Sequence, residues 1–276
     1  MSTNAPELII EAGHTERNYW RDLFRYRELF YFLAWRDVLV RYKQTVIGIL
    51  WAVLRPLLTM IVFTFVFSRV AKLPSDGLPY PVMVFAAMLP WQLFATSLSE
   101  GSGSLINNAN LISKVYFPRL IVPASAVIVS FVDFAISMVL LAVIMAIYHV
   151  WPGWPVLMLP VFTFVALLAS AGAGIWLAAL TVKYRDFRYV VPFIVQFGLY
   201  ISPVGFSSAI VPEKWRLLYA FNPMVGVIDG FRWSISNGRS PFPQQSLFLS
   251  LFTIAVLLAS GIWYFRKTER TFADVI

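Results

Sequence analysis

The chain has 276 residues, 59% hydrophobic and 13% charged, with 22 Lys and Arg against 14 Asp and Glu for a net charge of +8. That apolar content excludes an ordinary soluble domain, and the length of the apolar runs excludes barrel strands, leaving an all-α integral membrane protein. The absence of cysteine excludes disulfides, thiolate metal sites and cysteine nucleophiles.

The N-terminal segment, residues 1–44, reads as cytoplasmic. Glu7 and Glu11 stand where a secretory signal would carry basic residues, and the first apolar run comes late. Within it, residues 17–43 are predicted to form an amphipathic helix along the inner membrane surface. Arg21, Arg25, Glu28, Arg36 and Lys43 recur near helical spacing, while Trp20, Phe24, Tyr31, Trp35 and Val38 fill another face. The alternative is a cytoplasmic helix packed on the protein's own loops.

Six apolar stretches follow, over residues 45–70, 81–98, 120–150, 156–182, 189–210 and 247–265. Each is long enough to span, so a six-helix transmembrane domain is expected over 45–265, with a cytoplasmic tail at 266–276. Lys and Arg are distributed sixteen to one side and six to the other. The positive-inside rule therefore places both termini in the cytoplasm, consistent with an even number of spans. This concentration beside the spans assigns the excess charge to orientation and anionic lipid rather than to nucleic acid. The two histidines, His14 and His149, lie in flanking segments.

The loop at 107–123, with Lys114 and Arg119, falls on the cation-rich side. Leu105, Ile106, Leu111, Ile112, Val115, Tyr116 and Phe117 make it too apolar to face water alone, so a helix over about 102–116 is expected to dock a soluble protein. Between the fifth and sixth stretches, about 205–243 is rich in helix breakers. It reads as two short helices, 212–220 and 223–236, with Asn222 as N-cap and Pro223 at the first helical position. A pair dipping into the outer leaflet would form a gate, with Trp215, Asn222, Pro223 and Phe231 as candidates. An ordinary extracytoplasmic loop is the alternative.

Charge within the spans singles out Asp133 and Arg55 as functional candidates. Snorkelling of Arg55, and protonation of Asp133 or bonding to Ser130 or Ser137, are the ordinary readings. Tyr189, Phe193, Phe197 and Tyr200 recur at helical spacing on the fifth stretch, and Trp51 adds to a dense aromatic first stretch. Aromatic faces suit sugar rings, so Trp51, Arg55, Tyr189, Phe193, Phe197 and Tyr200 are candidates for a glycan path. Packing or lipid contact is the bland explanation of such a stripe. The chain has no G-x-x-x-x-G-K-[ST] phosphate loop, no G-x-S-x-G elbow, no H-E-x-x-H and no acidic cluster. No catalytic or metal-binding residue is assigned, and no enzyme activity is expected of this chain.

Several ordered segments carry a resemblance. They are Arg41-Tyr42-Lys43-Gln44-Thr45-Val46-Ile47-Gly48-Ile49-Leu50-Trp51-Ala52, Leu89-Pro90-Trp91, Asn110-Leu111-Ile112 with Lys114-Val115 and Phe117-Pro118-Arg119, Lys183-Tyr184-Arg185-Asp186, and Asn222-Pro223-Met224. Together they resemble the membrane subunit of ABC type-2 exporters, in the branch exporting lipid-linked polysaccharide (O-antigen, capsule or teichoic acid). The resemblance implies a homodimer in the bacterial inner membrane, joined to two copies of a separate nucleotide-binding ATPase that holds ATP and Mg, with no cofactor on this chain. It also implies a coupling helix bearing Leu105, Ile106, Asn110, Leu111, Ile112 and Lys114, an interface helix before residue 44, and a re-entrant gate. The pore would lie between copies, lined by the first and fifth spans. Arg55 departs from the uncharged polar residue that relatives often carry before the first-span proline. A drug or lipid efflux permease of the same fold is the nearest alternative. An ion-coupled secondary transporter or a membrane-bound lipid-modifying enzyme lacks the acidic relay or nucleophile cluster it would need.

Overall fold

The computed structural model describes residues 19–43, 48–75, 77–240 and 242–272. His14, Glu7, Glu11, Arg17 and the stretch 44–47 lie outside the described residues. Among those described, the secondary structure is helical throughout. Helices α1 (Tyr19–Arg25) and α2 (Arg27–Lys43) precede α3 (Gly48–Phe63), which continues as a π-helical stretch over Thr64–Val70. Then come α4 (Tyr80–Asn107), α5 (Ala109–Lys114) and α6 (Ile121–Ile147). A 3₁₀ turn at Trp154–Met158 leads into α7 (Leu159–Lys183), followed by α8 (Phe187–Ile201), α9 (Glu213–Ala220) and α10 (Pro223–Ile235). The last helix, α11 (Gln244–Thr268), ends in a 3₁₀ turn at Glu269–Thr271.

Among the described residues, five helical segments are long and apolar enough to cross a membrane: Leu50–Val70, Tyr80–Asn107, Ile121–Ile147, Trp154–Lys183 and Gln244–Thr271. The fifth expected span differs. Helix α8 has 15 residues, about 22 Å at helical rise, against a hydrocarbon thickness of about 30 Å. It stops because Ser202 precedes Pro203, and a residue before proline is pushed out of the α region. Ser202 is accordingly extended, with φ −79° and ψ 152°. The following loop folds inward and is held by a hydrogen bond from the Tyr80 hydroxyl to the Gly205 carbonyl at 2.6 Å.

Helix α4 is the hub, packing against α3, α6, α7, α8 and α10. Small residues set the closest approaches. A Cβ on Gly261 of α11 would sit 2.8 Å from the Gly172 carbonyl oxygen of α7, so these backbones meet with no room for a side chain. A membrane-level core surrounds α4. A second core gathers Tyr19, Leu33, Leu105, Ile112, Phe117, Val182, Phe265 and Phe272 at the cation-rich end. It joins α1, α2 and α5 to the ends of α4, α7 and α11.

The N-terminal region is two helices rather than one, with the break at Tyr26. Leu33 and Ala34 are buried against the bundle, whereas Trp20, Phe24, Tyr31, Phe32 and Trp35 remain exposed. Helix α2 therefore packs along a narrow edge and offers a broad aromatic surface outward.

Candidate functional site

The apolar loop of the sequence becomes the end of α4, a bend at Asn108, and α5. The bend is built by polar contacts on both sides. Asn108 Nδ2 donates to the Ser104 carbonyl at 2.9 Å, and Asn108 Oδ1 accepts from Arg36 Nη2 of α2 at 2.8 Å. Leu105, Ile112 and Phe117 are buried in the second core. Three of the seven apolar residues that mark the loop are thus covered by the protein's own helices. Ile106 and Leu111 are half-buried, and Asn110, Ser113, Lys114, Val115 and Tyr116 are exposed. On leaving α5 the chain is held again: the Arg119 backbone N–H donates to Glu269 Oε1 at 2.8 Å, and the Arg119 guanidinium donates to the Glu269 carbonyl.

Asp133 has partners other than the neighbouring serines. Arg41 of α2 reaches its carboxylate at 2.7 Å, and the Tyr42 hydroxyl donates to it. Arg41 also pairs with Glu100 of α4 at 3.2 Å. Ser137 instead donates to the Asp133 backbone carbonyl at 3.0 Å. Burial, and then the adjacent Asp133, push the Tyr42 phenol well above its ordinary range, so it stays a proton donor. These groups bridge a cleft of about 490 Å³ between α2, α4 and α6, lined by Arg36, Asp37, Arg41, Glu100, Asn107 and Asn108 among others. Arg41 and Tyr42 open the most recognisable stretch of the sequence, but its pattern does not reveal that they reach α6.

The candidate path residues gather on one kind of surface. Trp51 and Arg55 on α3, and Tyr189, Phe193, Phe197 and Tyr200 on α8, are all exposed. Only 6% of the most apolar part of the first span is buried within the chain. Phe193 and Phe197 lie in tilted contact with centroids 4.2 Å apart, and Phe63 links α3 to Tyr200 of α8 at 6.5 Å. The opposite side of α8 does the packing: Val191 is buried, and a Cβ on Gly198 would lie 2.4 Å from Trp91 Cη2. Core packing within the chain is therefore not what the stripe serves.

The helix pair after α8 matches the expected boundaries closely. Asn222 caps α10, its Oδ1 accepting from the Met224 N–H at 3.0 Å, with Pro223 next. Its Nδ2 donates to Ser202 Oγ at 3.0 Å, and its carbonyl accepts from Ser250 of α11 at 3.3 Å. Trp215 lies on the exposed α9 together with Leu217 and Leu218. Phe231 lies in the interior of the chain. It is fully buried and packs between Phe134 and Phe162, with centroids at 6.2 and 6.5 Å. Sequence reasoning passed over Arg232, which is buried and donates to the Phe206 carbonyl at 2.7 Å and the Val204 carbonyl at 3.1 Å. Asp229 stands 4.0 Å from it one turn earlier. Charges three apart among Val225, Val227, Ile228 and Phe231 were the available signal.

Comparison with known proteins is extensive along the chain. Residues 28–236 match the ABC-2 type transporter family. The chain is 31% identical over 260 residues to the O-antigen export system permease protein RfbA of Myxococcus xanthus, covering 93% of this chain and 98% of that protein. It is 28% identical over 243 residues to a protein of the same name from Klebsiella pneumoniae, covering 87% of this chain and 92% of that one. With five membrane-length apolar helices and a family match over most of its length, this chain is a multi-pass membrane protein that belongs to the ABC-2 type transporter family.

Proposed function

We propose that the chain is the membrane subunit of an ABC exporter that carries lipid-linked O-antigen across the bacterial inner membrane. It acts as a homodimer with two copies of a separate ATPase, which bind the ATP and Mg. The near end-to-end likeness to O-antigen export permeases supports the substrate class. The observation that carries the mechanism is the outward aromatic surface shared by α3 and α8, which the protomer itself leaves uncovered.

Two copies apposed through these helices enclose a path. Rings of Phe193, Phe197 and Tyr200 offer apolar faces to passing sugars, and the Tyr hydroxyl offers a hydrogen bond. Arg55, exposed on the same surface, meets an anionic group of the substrate. Helix α8 and the inward loop behind it make the fifth of six crossings, with α9 and α10 re-entrant from the outer face. Both termini are cytoplasmic, in keeping with the asymmetry of Lys and Arg. The ATPase docks on Asn110, Ser113, Lys114 and Val115, with Ile106 and Leu111 at the rim. Leu105 and Ile112 seat the helix from beneath. ATP-driven closure of the motor displaces α5, and the buried hub α4 carries that displacement to the path as a rigid element.

The test uses the natural absence of cysteine. Phe197→Cys on the path and Phe252→Cys on the exposed face of α11 are each placed in the full complex in vesicles. Lipid-linked O-antigen with ATP is expected to shield Phe197→Cys from a polar maleimide and leave Phe252→Cys unchanged. Equal labelling of both, with and without glycan, refutes the path.

A further inference from the structure

We infer that Glu269, at the very end of the last helix, is a positioning residue that locks the exit of the docking helix α5 to the transmembrane bundle. The inference rests on the reading of α5 as the ATPase-docking element. A six-residue helix is too short to be rigid by its own hydrogen bonds. Whatever stiffness it transmits must come from what holds its two ends.

The two ends are held differently. At the entry, Arg36 bridges to Asn108 at 2.8 Å beside an open polar cleft, and Arg36 also engages Asp37 at 2.7 Å. A solvated contact of a shared, flexible arginine is weak. At the exit, the Glu269 carboxylate accepts the Arg119 backbone N–H at 2.8 Å, and the Arg119 guanidinium returns to the Glu269 carbonyl. A charge-assisted bond to backbone fixes the main chain itself, not merely a side chain. This contact is also backed by packing. Phe272 is buried against Phe265, Tyr19 is buried below, and the Arg266 guanidinium lies 4.7 Å over the Tyr19 ring. The turn at Glu269–Thr271 thus acts as a wedge between α1, α11 and the α5–α6 connection. A push on α5 therefore moves the start of α6 and the end of α11 together, because Arg119 cannot yield independently. Helix α11 in turn is seated on α7 and α10 through Gly261 and Gly226. Movement at the docking face is carried by this route to the helix pair after α8.

Because the chain has no cysteine, Arg119→Cys with Glu269→Cys makes the only thiol pair on this chain, and a bis-methanethiosulfonate spacer closes it through two reducible disulfides, each formed by displacing a sulfinate. In the complete complex with its ATPase in vesicles, opening the spacer is expected to leave ATP hydrolysis running. O-antigen exported per ATP then falls about fivefold, the scale on which losing a linking residue alters coupling between sites. Closing the spacer restores the ratio. Glu269→Gln, which keeps an oxygen for the Arg119 N–H, exports near normally, whereas Glu269→Ala does not. Equal export per ATP in the opened and closed forms overturns the inference. So does a closed form that stays uncoupled, or wild-type coupling in Glu269→Ala. Co-purification of the unaltered chain with the ATPase is measured first, and its failure would sink the docking reading instead.

Discussion

The division of α5 into a seated face and a free face makes a sharp prediction. Ile112 is 4% exposed and belongs to the second core, while Lys114 is exposed and Val115, the extended residue just past the end of α5, is 48% exposed. Ile112→Ala removes three carbons from a packed site at the aqueous end of the bundle. At about 0.8 kcal/mol per buried methylene the transfer loss is about 2.4 kcal/mol, and the cavity left behind brings it to about 3 kcal/mol. Val115→Asp with Lys114→Glu alters only exposed side chains and should change stability by no more than about 0.5 kcal/mol. Thermal unfolding of the detergent-solubilised chain alone, followed by co-purification with the ATPase, separates the two. Ile112→Ala is expected to melt early. The Lys114→Glu, Val115→Asp double variant is expected to melt normally and fail to retain the ATPase. A wild-type melt for Ile112→Ala would mean that α5 is not seated as described. Retention of the ATPase by the double variant would remove the docking assignment.

Changing Phe193, Phe197 and Tyr200 together to Ala should leave melting of the chain alone nearly unchanged, because all three are exposed, but should abolish surface O-antigen in a complementation assay. Gly226→Ala places a Cβ 2.6 Å from the Leu247 Cα, a backbone atom that cannot step aside; overpacking of about 1–3 kcal/mol is expected, read as a lowered melting temperature. Asp133→Leu leaves Arg41 and Tyr42 without the carboxylate they share and should detach α2, measured as faster amide exchange over residues 36–43. Asp133→Glu should retain protection, and equal exchange in both variants would exclude the carboxylate as the anchor.

Local features of the chain were legible without coordinates. Asn222 followed by Pro223 marked a helix start that the capping hydrogen bond bears out, since a cap depends on residues a turn away. The aromatic periodicity of α8 identified one face, and that face is exposed. What covers a face is another matter. Ile112 looked available for a partner because its own neighbours in sequence could not show that it joins a buried cluster with Tyr19, Leu33 and Phe265. Asp133 found its partners 91 and 92 positions earlier, beyond any reach of helical spacing.

Length and hydropathy alone determined that this chain lives in a membrane, because about twenty apolar residues have no other stable environment as isolated helices. Cation asymmetry alone set its expected orientation. Tertiary structure decided the rest: that Phe231 and Arg232 are interior, that α8 stops short at Ser202, and that Glu269 returns to grip Arg119. Periodicity records which residues share a side of a helix. Only packing, where segments far apart in sequence compete for the same surface, assigns that side to core, lipid, partner or path.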